Sequence, residues 1–219
     1  INFGRADQRF PYLQTLQQSL NKDYPHLHQL NLSASDAPPL PLPATQTIQI
    51  LSLSGQGGLF AGNIFARTLA NALQWNVKTF PEGGLEQNMQ AVAFSLAYKQ
   101  SDEAVAGKPE TFDTILVSAC KLIENLSLLS SINKGGLMIV ESNRHPDDMW
   151  HNLPRQIQQL VQSREIRLFV INAQQIAAET ASAPAFINQL AVWALLGACL
   201  QATAMLSKDE NELFRDYLK

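Results

Sequence analysis

The chain has 219 residues, of which 46% are hydrophobic and only 16% are charged. This length and apolar content are typical of one large domain, or one domain with an appendage, and disfavour wholesale disorder. The formal net charge is −3 without a dense run of Lys or Arg, which argues against the basic face that nucleic-acid binding requires. A charged fraction below the roughly 25% of ordinary soluble domains favours a subunit that buries faces against partners.

The two cysteines, Cys120 and Cys199, stand far apart in apolar contexts and outside any CxxC motif or Cys/His cluster. An iron–sulfur or zinc site within this chain is therefore not expected. Two unclustered cysteines in a chain with a sizeable core favour a reducing, cytoplasmic location. The longest apolar stretch, residues 185–205, is interrupted by three amide side chains, which indicates a buried helix rather than a membrane span.

Residues 1–44 differ from the rest and predict a separate N-terminal appendage. Apolar residues at helical spacing predict a short amphipathic helix over residues 11–23. The proline-rich stretch APPLPLPA at 37–44 predicts an extended linker, so we expect a domain boundary near residue 45. No signal peptide is evident, and the first residue is Ile1 rather than methionine. We therefore expect that the start is missing or that the chain is part of a longer polypeptide.

From residue 45 to residue 219, short apolar runs alternate with helical segments. This order predicts an α/β domain of three layers, a mainly parallel open sheet flanked by helices in a Rossmann-like arrangement. Strands are expected over residues 47–53, 75–80, 91–98, 113–119, 136–142 and 166–173. Helices are expected over residues 59–73, 122–132, 173–180, 186–206 and from residue 208 onward.

Three details of this pattern carry further predictions. The alternation of large apolar residues in 91–98 predicts a strand with one solvated face or an interface. The turn PEGG at 81–84 is expected to end the second strand. The sequence KGG at 134–136 is expected to end the helix over residues 122–132.

The loop after the first predicted strand is rich in glycine: Gly55, Gln56, Gly57 and Gly58 precede a helix. Glycines let the backbone approach an anion closely, and the helix N-terminus offers free N–H groups and a positive dipole. The loop lacks the GK[ST] of a P-loop and, because Phe60 interrupts the pattern, the third glycine of GxGxxG. A tight strand-to-helix turn without any ligand explains these glycines equally well.

Other candidate sites are weaker. Dinucleotide binding needs an acid at the end of the second strand, and the candidate, Glu82, follows a proline within a predicted turn. Ser118 and Cys120 follow a strand end, where ligands gather in open sheets, but no His and acid can be assigned to Ser118 as a triad. Cys120 is better explained as a buried apolar residue. The segment 145–151, with two His and two Asp, favours a solvated loop over a metal site.

Four segments, taken in order, resemble one known family. They are LSGQGGLFAGNIFARTLANAL at 53–73, FDTILVSACKLIENL at 112–126, INKGGLMIVESN at 132–143, and NAQQIAAET with INQLAVWALLGACLQ within 172–201. Together they resemble the gamma unit of the 2-oxoacid:ferredoxin (or flavodoxin) oxidoreductases, which act on pyruvate, oxoglutarate, ketoisovalerate and indolepyruvate. The resemblance covers residues 47–206. The family's Arg-Gly-Gly element after the second strand is replaced by GGLEQNMQ at 83–90.

This resemblance implies a non-autonomous subunit or domain, inactive as an isolated chain, of a complex that oxidatively decarboxylates a 2-oxoacid to its acyl-coenzyme A. Thiamine diphosphate and iron–sulfur clusters do the chemistry. This chain lacks a GDG…N thiamine motif and a cysteine cluster, so both are expected on partner alpha and beta subunits or domains. Ferredoxin or flavodoxin accepts the electrons.

The resemblance also implies what this chain contributes. It is expected to supply subunit packing and, through Gly55, Gln56, Gly57 and Gly58, contacts to the phosphates of coenzyme A. No catalytic residue or metal ligand is expected in it. The alternatives are a stand-alone oxidoreductase that binds NAD(P) or flavin, and a purely structural subunit with an empty loop.

Overall fold

The computed structural model describes residue 22 and residues 45–83, 91–101, 103–105, 107–124 and 130–218. The predicted helix and linker of residues 1–44 lie outside the described residues, apart from Lys22, which is helical. The chain separates into two units, Ile1–Pro41 and Leu42–Lys219. The architecture below is that of the second unit.

Six strands form one mixed sheet in the order β2-β3-β1-β4-β5-β6. Strands β1, β4, β5 and β6 run parallel, whereas β3 is antiparallel to both of its neighbours, β1 and β2. The mainly parallel α/β architecture is therefore confirmed. The strands are β1 Gln46–Leu53, β2 Asn76–Glu82, β3 Ala91–Lys99, β4 Phe112–Val117, β5 Ile132–Glu141 and β6 Arg167–Ile171.

Helices cover both faces of the sheet and complete the three layers. Among the described residues, the α-helices are α1 Gly58–Ala72, α2 Pro146–Asn152, α3 Arg155–Ser163, α4 Ala173–Thr180, α5 Ile187–Thr203 and α6 Lys208–Tyr217, and 3₁₀ turns occupy Cys120–Glu124 and Pro184–Phe186. Helices α1, α4, α5 and α6 contribute to one apolar cluster on the sheet. The first 3₁₀ turn, α2 and α3 contribute to the cluster on the opposite face.

The central strands are apolar because both of their sides are buried. In β1, Ile48 and Ile50 belong to the cluster under α1, while Leu51 belongs to the opposite cluster. This is the pattern expected of a strand covered by helices on both faces.

Of the segment predicted as a helix over residues 122–132, residues 125–129 lie outside the described residues, and the described residues at its two ends are not α-helical. A 3₁₀ turn occupies Cys120–Glu124, and β5 begins at Ile132, four residues before the predicted strand. The register of β4 against β5 shifts between Phe112 and Thr114, so the KGG sequence forms an irregularity inside β5 instead of a helix stop. Gly135 permits it because its φ is +73°, a backbone conformation that favours glycine.

The second strand ends at Glu82, within PEGG as predicted, but it extends two residues beyond the predicted end and includes Pro81. Because β2 lies at the edge of the sheet, a proline there need not interrupt a ladder of hydrogen bonds.

Of the two alternatives expected for β3, a solvated face or an interface, the solvated face is wrong. Phe94 and Leu96 are buried on one side of the strand, and Ser95 and Ala97 are buried on the other. The strand lies second from the edge, between β1 and β2, and small residues occupy its second side.

The apolar stretch near the C-terminus forms α5. With its preceding turn, Pro184–Thr203 is the one helix among the described residues that is long and apolar enough to cross a membrane, by length and composition only. One face of α5, including Val192, Leu195 and Cys199, is buried in the core cluster under α1. This face packs in the core as predicted, whereas the rest of the helix is partly or fully exposed.

Packing of α1 against α6 generates a prediction about stability. The ring of Phe65 is fully buried and meets the ring of Phe214 edge to face, with centroids 5.7 Å apart. Phe65→Ala should lower the free energy of unfolding by about 3–5 kcal/mol, since it leaves a cavity. Phe60→Ala on the same helix, where the side chain is 61% exposed, should change it by less than about 0.5 kcal/mol. Urea unfolding measures both, and equal losses would contradict the packing described.

Candidate anion-binding site

The glycine loop lies where two neighbouring strands send their connections to opposite faces of the sheet. Strand β1 leads into α1 on one face. Strand β4, parallel to β1 and next to it, leads into the 3₁₀ turn Cys120–Glu124, which packs on the other face. Such a switch point leaves a crevice at the carboxyl ends of the strands, where open α/β sheets bind their ligands.

The loop turns sharply because two of its glycines adopt left-handed backbone conformations. The φ angles of Gly55 and Gly57 are +85° and +82°. The N–H of Gln56 donates to the carbonyl oxygen of Leu53, 3.1 Å away, and closes the turn. Residues other than glycine adopt these φ values only with strain.

Close packing explains part of the glycine pattern. A Cβ on Gly57 would lie 2.9 Å from Cγ of Gln189, which extends over the loop from α5. A Cβ on Gly58 would overlap the side chain of Ser52, and one on Gly62 would overlap the ring of Phe94. Around Gly55, by contrast, a Cβ would meet nothing within 4 Å. Packing therefore requires the later glycines, whereas the space at Gly55 is open.

The first turn of α1 is well suited to an anion. It contains no acidic residue, and its N-cap, Gly57, has no side chain to accept a hydrogen bond. The first intrahelical bond runs from the N–H of Ala61 to the oxygen of Gly57, 2.9 Å away. The preceding N–H groups, those of Gly58, Leu59 and Phe60, have no carbonyl partner within the helix, and the positive end of the helix dipole lies beside them.

A hollow of about 250 Å³ lies over this turn. None of the described residues that line it is charged, so no carboxylate there repels an anion and no basic side chain assists it. The lining residues are Leu53, Ser54, Gly55, Gly57, Gly58, Leu59, Phe60, Val92 and Gln189. Gly55, Gly57 and Gly58, three of the four predicted phosphate contacts, are thus brought together around one hollow.

The fourth predicted contact, Gln56, makes different interactions. Its Oε1 accepts hydrogen bonds from the N–H of Leu53, at 3.1 Å, and from the hydroxyl of Ser118, at 2.7 Å. The side-chain carbonyl of Gln56 is therefore directed to the junction of the loop with the end of β4. The sequence places Ser118 at a strand end without assigning it a partner, and its pairing with Gln56 depends on the contact between β1 and β4.

A larger cleft, of about 540 Å³, opens beyond the carboxyl ends of β4 and β5. Lys121 and Arg144 supply positive charge to its lining, and Glu124 and Glu141 supply negative charge. Burial raises the pKa of Glu141, an effect that the backbone N–H of Gln174 partly offsets. Burial also raises the pKa of the Cys120 thiol, and Arg144 opposes this shift.

The weaker candidates have structural roles. Glu82 ends β2, two places from β1 in the sheet, and its carboxylate lies 2.8 Å from Nζ of Lys108. His145 caps α2 and accepts a hydrogen bond from the N–H of Asp147. In the part of the chain that the structure describes, no three His, Cys, Asp or Glu side chains converge as metal ligands.

A parallel strand, a glycine turn and an uncapped helix at a switch point make this a Rossmann-like α/β domain with a candidate anion site at a helix N-terminus. Comparison with known proteins is more specific. Residues 47–219 match the model of the pyruvate ferredoxin/flavodoxin oxidoreductase family, and the chain belongs to this family. The resemblance inferred from the sequence is thus confirmed.

Two curated relatives show how much of a larger protein this chain matches. A pyruvate-flavodoxin oxidoreductase of Trichormus variabilis is 33% identical over 61 residues, which are 28% of this chain and 5% of that protein. A pyruvate-flavodoxin oxidoreductase of Rhodospirillum rubrum is 31% identical over 68 residues, which are 31% of this chain and 6% of that protein. The matched segment is therefore a small part of each relative.

Solved structures share the fold over most of the chain. The pyruvate oxidoreductase subunit PORC of Thermotoga maritima is 17% identical, with a TM-score of 0.58 over 81% of this chain and 86% of that one. The gamma subunit of a keto/oxoacid ferredoxin oxidoreductase of Geobacter sulfurreducens is 18% identical, with a TM-score of 0.53 over 77% of this chain and 83% of that one. This chain has the fold of such subunits.

The two cysteines generate a prediction about thiol reactivity. Cys199 is fully buried and its pKa is raised to about 12, and the pKa of the partly exposed Cys120 is raised as well. A raised pKa leaves less thiolate, the reactive form, at neutral pH. In the folded chain, Cys120 should react with iodoacetamide more slowly than free cysteine at pH 7.5 and faster as the pH rises, and Cys199 should not react.

Mass spectrometry of alkylated peptides measures these rates. Cys120→Ser should abolish labelling of the native chain, and denaturation should expose both thiols in the wild type. Labelling of Cys120 at neutral pH as fast as that of free cysteine would show that Arg144, rather than burial, dominates its pKa.

Proposed function

We propose that this chain is a gamma-type subunit or domain of a 2-oxoacid:ferredoxin or flavodoxin oxidoreductase complex. In this role it contributes subunit packing and holds a phosphate of coenzyme A at the glycine loop. Family membership and the shared subunit fold support the first part. The uncapped N-terminus of α1, which faces an uncharged hollow, is the observation that carries the second part.

The reaction of the proposed complex is the oxidative decarboxylation of a 2-oxoacid to its acyl-coenzyme A. Thiamine diphosphate and iron–sulfur clusters supply the carbanion and electron chemistry, and ferredoxin or flavodoxin takes up the electrons. Both cysteines of this chain are free and remote from each other in sequence. We therefore assign these cofactors to partner alpha and beta subunits, and the isolated chain has no activity. The two free thiols also suit a cytoplasmic location.

The glycine loop suits one phosphate group better than a complete coenzyme A molecule. The hollow of about 250 Å³ is smaller than the ~300–1,000 Å³ of most small-molecule sites. The N–H groups of Gly58, Leu59 and Phe60 would hold the phosphate oxygens there, because they lack partners within α1. The rest of the ligand would extend out of the hollow, toward other subunits.

Two other functions have less support. Dinucleotide binding is disfavoured because Glu82, the acid that would hold the ribose, pairs with Lys108 two strands away from the loop. A purely structural role is consistent with the packing at Gly57, Gly58 and Gly62 and with the left-handed backbone of Gly55, but it leaves the hollow over the first turn of α1 without a use.

A pair of substitutions at Gly55 tests the phosphate site. Gly55→Asp and Gly55→Asn impose the same backbone strain at φ +85°, which Asn and Asp tolerate better than most residues, and both side chains have open space. Only Asp adds a negative charge beside the helix N-terminus. In the assembled complex, Gly55→Asp should weaken coenzyme A binding at least about tenfold more than Gly55→Asn, since repulsion replaces attraction at this position.

Titration calorimetry at two salt concentrations measures this difference, which should shrink as ionic strength rises. If both variants bind coenzyme A with wild-type affinity, the loop is not its phosphate site and the structural alternative is preferred.

Assembly provides a separate test. A tagged chain purified from its native source should bring with it polypeptides that contain thiamine diphosphate and iron–sulfur clusters, visible as brown absorbance. The assembly should reduce a viologen dye when a 2-oxoacid and coenzyme A are both present, and the isolated chain should not. A chain that purifies alone with a bound flavin, or that NAD(P) stabilises against heat, would instead indicate a stand-alone oxidoreductase.

A further inference from the structure

We propose that Gln56 is a positioning residue of the glycine loop that acts through Ser118, and that it does not itself contact the phosphate. This inference rests on the proposed function, since it assigns how the same loop is kept in its anion-binding conformation. Gln56 is not among the residues that line the hollow.

One oxygen atom joins three parts of the chain. Oε1 of Gln56 accepts from the N–H of Leu53 at the end of β1 and from the hydroxyl of Ser118 just after β4. Ser118 is itself well fixed, because it is 4% exposed and its backbone N–H donates to the carbonyl oxygen of Leu51, 2.9 Å away. The Gln56 side chain thereby ties the loop to the two strands on either side of the switch point.

The loop needs such a tie because its other residues offer little to hold it. Gly55 and Gly57 flank Gln56, and glycine loses the most conformational freedom when it is ordered. A loop that is already ordered before it meets a ligand avoids that cost on binding. Gln56 is the one side chain in the segment 55–58, so the interactions of that side chain with Leu53 and Ser118 are those that can order this segment from within.

A second residue touches the loop from outside and serves as a control. Gln189 covers Gly57 through its Cβ and Cγ atoms and lines the hollow. Gln189→Met keeps those two carbons and removes only the amide. It should therefore leave the order of the loop unchanged, whatever it does to a bound phosphate.

The test combines two measurements on Gln56→Met, Ser118→Ala and the double variant. Hydrogen exchange of the amides of Gly57 and Gly58 in the ligand-free chain reports the order of the loop. Calorimetry with coenzyme A on the assembled complex reports the affinity. Ser118→Ala should speed exchange and weaken binding about fivefold, the effect of one lost hydrogen bond. Gln56→Met should do so at least as strongly, because it also removes the acceptor of the Leu53 N–H. The double variant should be no worse than Gln56→Met alone, because Gln56→Met already removes the bond between Gln56 and Ser118.

Ser118→Thr, which keeps the hydroxyl, should restore slow exchange and wild-type affinity. If this larger side chain lowers the unfolding midpoint, Gln56→Glu replaces it in the exchange measurement, because a carboxylate accepts the same two hydrogen bonds. If neither Ser118→Thr nor Gln56→Glu shows the slow exchange of the wild type, the proposal is overturned.

The remaining outcomes are also decisive. If Gln56→Met weakens coenzyme A binding while Ser118→Ala keeps wild-type exchange and wild-type affinity, Gln56 is a direct phosphate contact. This result would overturn the proposal. Unchanged exchange in both single variants would overturn it as well. If the wild-type complex does not bind coenzyme A, the proposed ligand fails, but exchange at Gly57 and Gly58 still decides whether the pair of Gln56 and Ser118 orders the loop.

Discussion

The position of β1 in the sheet is the constraint on which the rest of this structure depends. It pairs with antiparallel β3 on one side and with parallel β4 on the other, and both of its faces are buried. The polypeptide that follows β1 therefore leaves the sheet at its carboxyl edge, turns within a few residues and enters α1. The crevice, the left-handed glycines and the uncapped helix all follow from that exit.

The same exit accounts for the two kinds of glycine in the loop. Gly58 and Gly62 let α1 pack closely on Ser52 and Phe94, so the sheet itself requires them. Gly55 is exposed to open space and forms the outer part of the turn. A glycine-rich strand-to-helix turn is thus partly a packing solution, and only the portion that faces the hollow bears on ligand binding.

Much of the fold could be predicted from residue patterns, because buried strands and amphipathic helices have distinct periodicities. Helix α1, the helices α4, α5 and α6, and the family resemblance were predicted correctly. The errors occurred where neighbours decide the outcome. KGG at 134–136 has the signature of a helix stop, yet β4 pairs on both sides of it and makes it an irregularity in β5. PEGG at 81–84 does end β2, but the strand continues two residues into it because Pro81 is accommodated at the sheet edge.

The sequence by itself determined the class of fold, the family and the place of the glycine loop, since each depends on local order and spacing along the chain. Only the tertiary structure decided what the loop residues do. Gln56 and Ser118 are 62 residues apart, and they meet because β1 and β4 pair in parallel. Local propensity carries no information about which distant strand supplies a hydrogen-bond donor, so the shared register of the two strands assigned Gln56 its partner.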